Sequence, residues 1–470
     1  MNTPMDLTLQ QMHDWLAGSR LVGDPSITVA RVHTDSRTAE PEDLFVALQG
    51  ERFDAHAFLP QLAAQGVRVA IARQGLAQAG LMGLEVNDTS SALAQLASAW
   101  RHQFAIPMIA VTGSNGKTTL TQMLASILTA WKGEHALSTQ GNFNNHIGVP
   151  LTLLRLRSHH EVAVLELGMN HPGEIEQLAN WTAPTVAVVN NAHREHQEFM
   201  QTVAAVAREN GMVIKALPAK GVAVFPNTDA HQAVWRELAA QHPIMDFGDR
   251  QATVHAISAT WQGLHWSLKI HTPLGPVDTQ LAVAGEHNVH NALAACAAAL
   301  SAGVPRQAIQ TGLAQFQAVA GRSRPLSLLV AGQRITLIDD TYNANPDSVK
   351  AAVELLAMSP APRLMVLGDM GEVGSQGPAF HDEVGRYAKQ QGIEHLFTLG
   401  ELSQHSANAF HGAQHGQTME DIQRMVKQRL PEVATVLVKG SRFMRMERLV
   451  EHLLATQDPN ATLDKEATCC

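Results

Sequence analysis

The chain has 470 residues, 45% of them apolar and 16% charged, which suits about three domains of ~150 residues each with its own core. With 34 basic and 43 acidic residues, the formal charge is −9, which argues against a nucleic-acid or anionic-membrane binder but allows a local cationic pocket. Three cysteines exclude a disulfide framework: Cys296 sits in an Ala-rich stretch as a small buried thiol, and Cys469 and Cys470 end a polar tail. The start carries no basic-then-apolar leader, and no run of roughly 18 apolar residues spans a membrane. The expectation is a cytoplasmic protein without membrane insertion.

In chain order, residues 8–18 have helical apolar spacing, 30–37 and 43–48 read as strands, 56–66 as a helix and 67–72 as a strand. A helix over 90–104 leads into the apolar strand 107–113, which breaks into a glycine loop and a helix over 118–130. Apolar strands at 162–168, 185–190 and 221–227 alternate with helical stretches, the pattern of a parallel sheet covered on both faces. Residues 253–284 switch to short alternating strands, an antiparallel insertion, and an Ala-rich helix follows over 288–302. Beyond residue 320 the strands 334–340, 363–370, 395–400 and 435–441 alternate with helices near 346–358, 378–391, 402–411, 418–430 and 443–455. The prediction is an α/β chain of three domains. A small N-terminal α/β domain covers 1–85, a central doubly wound parallel sheet of P-loop type covers 86–318, and a C-terminal Rossmann-like α/β domain covers 319–470.

The strongest local signal is Gly113-Ser114-Asn115-Gly116-Lys117-Thr118-Thr119 between a strand and a helix. Backbone N–H groups and the helix start can hold phosphate oxygens, Lys117 can reach the terminal phosphates, and Thr118 can bind Mg²⁺. The strict phosphate-loop pattern places a glycine five positions before Gly116, where this chain has Val111. Glu166 ends an apolar strand at the carboxyl edge of the sheet, where ligands bind in open α/β folds. From the residues alone it is a Mg²⁺ ligand or a solvated strand-end carboxylate. His193 shares that edge, as one of 24 histidines. His287, Asn288 and Asn291 open the Ala-rich helix, and Asn343, Asn345 and Pro346 open a helix of the third domain; helix capping accounts for either set by itself. Asp35-Ser36-Arg37 follows a strand end as a polar turn.

The Thr112-to-Thr119 loop resembles that of the Mur ligase superfamily, ATP-dependent amide-forming enzymes of peptidoglycan synthesis. The similarity continues through Gly141-Asn142-Phe143-Asn144-Asn145, Glu166-Leu167-Gly168-Met169-Asn170 and Gly285-Glu286-His287-Asn288. In the third region, Asp339-Asp340-Thr341-Tyr342-Asn343-Ala344-Asn345-Pro346, Val366-Leu367-Gly368-Asp369-Met370 and Val438-Lys439-Gly440-Ser441 resemble one branch. That branch joins D-alanyl-D-alanine to UDP-N-acetylmuramoyl-tripeptide through an acyl phosphate.

The resemblance implies ATP and Mg²⁺ as cofactors and a set of roles. Lys117, Glu166, His193 and Arg322 act in catalysis, with Thr118, Glu166 and His193 at the metal. The phosphate loop, His287, Asn288, Asn291, Arg322, Asp339 and Tyr342 contact the nucleotide, Asp339 at the ribose hydroxyls and Tyr342 at the base. Ser36, Arg37, Asn142, Asn144, Asn145, Asn343 and Asn345 contact the substrates, with the UDP end on the N-terminal domain near Leu48-Gln49-Gly50 and Phe53-Asp54-Ala55-His56. A monomer is the default.

One departure stands out: these ligases usually carry a carbamylated lysine, and the corresponding position here holds Asn210. Either the metal has one carboxylate fewer, or Glu209 substitutes. The first is preferred, because neighbouring helical residues point about 100° apart. The alternatives for the whole chain are a diamino-acid-adding sibling, whose Asp-Asn-Pro-Arg motif is missing here, and a regulatory nucleotide-binding ATPase.

Overall fold

The computed structural model describes residues 3–50, 53–195 and 197–456; Cys469 and Cys470 lie outside them. Three main sheets follow one another along the chain, with a two-stranded ribbon of Leu7–Thr8 and Thr28–Val29 beside the first. The first main sheet has five strands in the spatial order Arg20–Val22, Met82–Glu85, Val69–Ala72, Asp43–Val46 and Arg31–His33, parallel except at Arg20–Val22.

The central sheet has nine strands. From one edge they are Ala136–Ser138, Val162–Glu166, Met108–Thr112, Val186–Val189, Val222–Pro226, Ile244–Gly248, Val254–Trp261, Trp266–His271 and Val277–Leu281. The first seven pair in parallel and the last two antiparallel. Strand Met108–Thr112 is apolar from Met108 to Val111 because both its faces are covered. Met108 and Ala110 join a core with helices Thr89–Arg101, Glu174–Thr182 and Val203–Lys215. Ile109 and Val111 join another with helices Lys117–Lys132, Glu286–Ser301 and Arg306–Gln315. Gly312 lets the last of these lie close to the phosphate-loop helix, since a Cβ there would sit 2.3 Å from Ile127 Cα.

The third sheet runs Arg324–Val330, Gln333–Asp340, Thr435–Lys439, Arg363–Gly368, His395–Leu399 and Gln414–Gly416, an antiparallel hairpin followed by parallel pairs. Its helices Pro346–Ala357 and Gly377–Gln390 cover one face, and Met419–Arg429 and Glu447–Ala455 the other.

Several expectations are corrected. The first helix is Leu9–Trp15, shorter than 8–18, and the 56–66 helix divides into a 3₁₀ turn Ala55–Phe58 and helix Leu59–Ala64, with Pro60 at the junction. The 253–284 segment extends the central sheet, because Val254–Trp261 pairs in parallel with Ile244–Gly248. Unforeseen strands include Arg20–Val22, Met82–Glu85, Ala136–Ser138, Ile244–Gly248, Arg324–Val330 and Gln414–Gly416. Of these, Arg20–Val22, Ala136–Ser138, Arg324–Val330 and Gln414–Gly416 are edge strands, which pair with a neighbour on one side only.

Candidate nucleotide and substrate site

The site lies where the central sheet's strand order reverses. Strand Met108–Thr112 is flanked by Val162–Glu166 on one side and Val186–Val189 on the other, and their carboxyl ends open a crevice, the usual ligand position in such sheets. Register places Glu166 opposite Val111 and Val189 opposite Thr112, so all three strand ends deliver side chains to one place. A cavity of about 1020 Å³ opens there, walled by the central sheet's loops and by the third domain.

The phosphate loop leaves Thr112 and enters helix Lys117–Lys132 through Gly116, whose φ is +78°. A Cβ at Gly116 would come within 2.6 Å of Asn291 Oδ1 and 2.8 Å of Asn190 Nδ2, so the position needs glycine for conformation and for space. Asparagines brace the loop. Asn191 accepts from Asn115 N at 2.9 Å and donates to Asn115 O at 3.0 Å; Asn190 Nδ2 donates to Asn115 O and to Asn291 Oδ1, each at 2.8 Å. Asn291 Nδ2 donates to Asn288 Oδ1, so the Ala-rich helix start is tied to the loop. Neither Asn190 nor Asn191 was among the sequence candidates, although both directly follow an apolar strand.

Ser114, Asn115, Gly116, Lys117, Thr118 and Thr119 all reach the cavity wall, while Gly113 lies beneath it. Lys117 folds back, donating to Gly113 O, to Ser114 O at 3.1 Å and to Glu195 Oε2 at 3.3 Å. Glu166 accepts from Thr118 Oγ1 at 3.1 Å and Asn144 Nδ2 at 2.8 Å through Oε1. Its Oε2 is buried without a hydrogen-bond partner. Asn145, on the cavity rim, accepts from Ile147 N at 3.1 Å and Gly148 N at 2.9 Å just before helix Gly148–Leu153, and the exposed Asn142 lies off the wall. His193 lines the cavity and exchanges backbone contacts with Ser114 Oγ.

Asn210 does not face the cavity. Its Oδ1 accepts from Thr112 Oγ1 at 2.5 Å and from Gly113 N at 3.0 Å, holding the base of the loop. Glu209 points elsewhere, accepting from Ile175 N at 2.9 Å at the start of helix Glu174–Thr182. Glu195, absent from the sequence candidates, is buried on the cavity wall.

The third domain supplies the opposite wall. Arg322 lies 4.0 Å over the Tyr342 ring, and its buried Nε has no hydrogen-bond partner. His287 is half-buried at the joint, near Ser323 and Asn288, and desolvation holds its imidazole below the ordinary pKa. Asn343 and Asn345 both line the cavity. Asn345 caps helix Pro346–Ala357 and donates to Asn115 Oδ1 at 2.9 Å, a direct contact between loop and third domain. Asp339, by contrast, is buried off the wall, its oxygens accepting from Gly321 N, Arg324 Nη2 and Thr341 Oγ1. The neighbouring Asp340 lines the cavity, paired with Lys439 at 2.7 Å.

Arg194, also missed in the sequence, latches the two walls. It reaches Asp347 at 2.5 Å and Glu383 at 3.0 Å while stacking 5.3 Å over Phe380, and these carboxylates push its pKa up. The available signal was the run His193-Arg194-Glu195 just past an apolar strand.

Ser36 and Arg37 lie away from this cavity. Arg37 is 82% exposed and paired with Asp35 at 2.6 Å, a self-contained polar turn. Nearby, His56 bonds Asp54 at 2.5 Å and accepts from Arg73 N, while the Phe53 ring is exposed.

A phosphate loop at a switch point, facing a second α/β wall that carries an arginine and a stacked tyrosine, defines a nucleotide-using enzyme of two-substrate type. Family models match in the same order along the chain. They are the Mur ligase family catalytic domain over residues 28–101, the Mur ligase middle domain over 111–299 and the Mur ligase glutamate ligase domain over 327–442. The chain belongs to the Mur ligase family. It is 39% identical to the UDP-N-acetylmuramoyl-tripeptide–D-alanyl-D-alanine ligase of Escherichia coli, over 96% of this chain and 98% of that one. The enzyme of that name from Haemophilus influenzae is 37% identical, over 93% and 96%. A crystal structure of MurF from Acinetobacter baumannii superposes with TM-score 0.89 at 36% identity, covering 96% of this chain and 99% of that one.

Proposed function

We propose that the chain joins D-alanyl-D-alanine to UDP-N-acetylmuramoyl-tripeptide with ATP, as the MurF relatives are named for doing, and so completes a peptidoglycan precursor. The observation that carries this reading is the single cavity in which the phosphate loop meets Arg322, Tyr342 and Asn345. A nucleotide-binding switch needs no such second wall.

In the reaction, a carboxylate oxygen of the tripeptide attacks the γ-phosphorus and the bond to ADP breaks. The amine of D-alanyl-D-alanine then attacks the acyl carbon; phosphate leaves with the electron pair and the amine loses a proton. The protein's work is charge neutralisation and alignment. Lys117 leaves its backbone acceptors for a phosphate oxygen, and Arg322, held flat by Tyr342, offers its unpartnered Nε to the transferring group. Closure of the third domain, latched by Arg194, excludes water that would hydrolyse the acyl phosphate.

The residues fit Mg²⁺. Glu166 has an orphaned buried oxygen beside the Thr118 hydroxyl. Mg²⁺ takes few carboxylates and completes its shell with phosphate and water, so one carboxylate and one hydroxyl at the phosphate loop suit it. Bound there, Mg²⁺ would supply positive charge to the phosphate oxygens; Thr118 and Glu166 would hold it, with His193 on the same rim.

Residues 1–85 take the UDP end through the Ser36-Arg37 turn, Leu48-Gln49-Gly50 and Phe53-Asp54-Ala55-His56. Residues 86–318 bind ATP, and 319–470 form the lid and the amine site. The alignment of Asp339 with the ribose gives way to Asp340 as the cavity-facing carboxylate. No helix of the described residues is long and apolar enough to cross a membrane.

Phosphate release measured with ATP, UDP-N-acetylmuramoyl-tripeptide, and D-alanyl-D-alanine present or omitted tests the proposal. Turnover should require both substrates, and ATP turnover indifferent to them refutes it.

A further inference from the structure

We propose that Asn345 is a positioning residue for amide formation: through Asn115 it seats the third domain on the phosphate loop instead of touching substrate. The inference rests on the ligase reading of the cavity. Three observations carry it.

First, both ends of the Asn345 amide are committed. Its Oδ1 accepts from Ser348 N at 2.8 Å as the cap of helix Pro346–Ala357, and its Nδ2 donates to Asn115 Oδ1 at 2.9 Å. Ser348 Oγ in turn accepts from Asn345 N at 3.0 Å, which fixes the backbone from which the side chain reaches. Asn115 is braced as well: Asn191 takes its N–H at 2.9 Å, and Asn190 and Asn191 donate to its carbonyl at 2.8 and 3.0 Å. A hydrogen bond between two braced side chains sets the separation of the segments that carry them.

Second, apolar packing does little to place the third domain. Among the described residues before 319, its two cores take in only Ala284 and Trp261. The first domain and the central sheet, by contrast, share one core from Met5 to Ala239. Polar contacts must therefore decide where the third domain stops.

Third, those contacts close a triangle. Asn191 joins the phosphate loop at Asn115 to the loop that follows strand Val186–Val189. On that second loop, Arg194 N donates to Asp347 Oδ2 at 2.9 Å, and Asn345, two residues before Asp347, returns to Asn115. One contact alone would be a pivot, whereas two to the same helical turn fix rotation as well as distance. The acyl phosphate forms at the phosphate loop and the amine arrives on the third domain, so this triangle sets their alignment.

The test compares full-length wild type, Asn345→Ser, Asn115→Ala and the double variant. Serine keeps an acceptor at the helix cap but does not reach Asn115. Amide product and released phosphate are quantified in one reaction with ATP, UDP-N-acetylmuramoyl-tripeptide and D-alanyl-D-alanine. Asn345→Ser should form amide roughly 2- to 12-fold more slowly, the worth of one hydrogen bond. Less than one amide should form per phosphate, because water then attacks the acyl carbon. Phosphate leaves with the electron pair, and loss of a proton restores the tripeptide carboxylate. ADP should bind within about twofold of wild type, since Asn190 and Asn191 still hold the loop. The double variant should lose no more than the more affected single one, because both substitutions remove the same bond. An amide rate and an amide-to-phosphate ratio equal to wild type overturn the proposal. So do losses that multiply in the double variant, or a matching loss of ADP affinity in Asn345→Ser. Asn115→Ala lies outside the third domain and carries the same test if Asn345→Ser does not fold. Wild type that releases phosphate regardless of either substrate refutes the ligase reading itself, a failure distinct from that of Asn345.

Discussion

Replacing Gly116 by alanine probes the phosphate loop most sharply. At φ +78° an L-residue pays about 1–2 kcal/mol for the left-handed conformation. The new methyl would also fall 2.6 Å from Asn291 Oδ1 and 2.8 Å from Asn190 Nδ2, and those atoms hydrogen-bond each other at 2.8 Å. Opening that bond costs a further ~0.5–1.5 kcal/mol. Together these amount to about 1.5–3.5 kcal/mol. The loop can relax locally, so the cost appears as a depopulated binding-competent conformer and a weaker apparent affinity. ADP titrated calorimetrically into Gly116→Ala should therefore bind roughly 10- to 300-fold more weakly than into wild type. The circular dichroism spectrum should be unchanged, because both buried faces of the sheet are untouched. Affinity within twofold of wild type would refute the loop geometry and the role of the asparagine brace.

Further outcomes follow from the domain contact and from a half-buried histidine. Arg194→Ala removes the latch to Asp347 and Glu383, and a loss of about 1–3 kcal/mol from the closed state should raise the KM for D-alanyl-D-alanine roughly 5- to 150-fold. Small-angle scattering should show a larger radius, and a wild-type KM with unchanged scattering argues against a latch. His160 accepts from Arg157 N, and burial, followed by the neighbouring His159, lowers its pKa to about 4 from an ordinary value near 6.5. Between those values the unfolded chain binds the proton and the folded one does not, so stability falls as pH drops from 6.5 to about 4. His160→Asn, which keeps an acceptor in place, should flatten urea-unfolding stability across that window; an unchanged slope would remove His160 as its cause.

Much of this molecule is legible in sequence where burial is two-sided. Met108–Thr112, Val162–Glu166 and Val186–Val189 read as strands because both faces need apolar cover, and the glycine loop after Thr112 identifies its own chemistry. Edge strands are less visible: Arg324–Val330 contains Pro325, tolerable there because only one side pairs. The site residues that escaped are those defined by distant partners. Arg194 matters through Asp347 and Glu383, which lie 153 and 189 residues further on. Asp339 and Asp340 are adjacent, and only the strand's alternation turns the second towards the cavity and leaves the first beneath it. At position 210 the missing lysine is plain in sequence, whereas the carboxylate beside Asn210 comes from a different loop.

The claim at the centre of this account is an acyl phosphate formed on the tripeptide carboxylate, and isotope transfer tests it directly. The terminal carboxylate of UDP-N-acetylmuramoyl-tripeptide is labelled with ¹⁸O, and the phosphate released with ATP and D-alanyl-D-alanine is analysed by mass spectrometry. One ¹⁸O atom should appear in each phosphate, because the attacking carboxylate oxygen leaves with phosphorus when the amide forms. Unlabelled phosphate would mean that ATP is cleaved by water, and the ligase chemistry assigned to this cavity would be wrong.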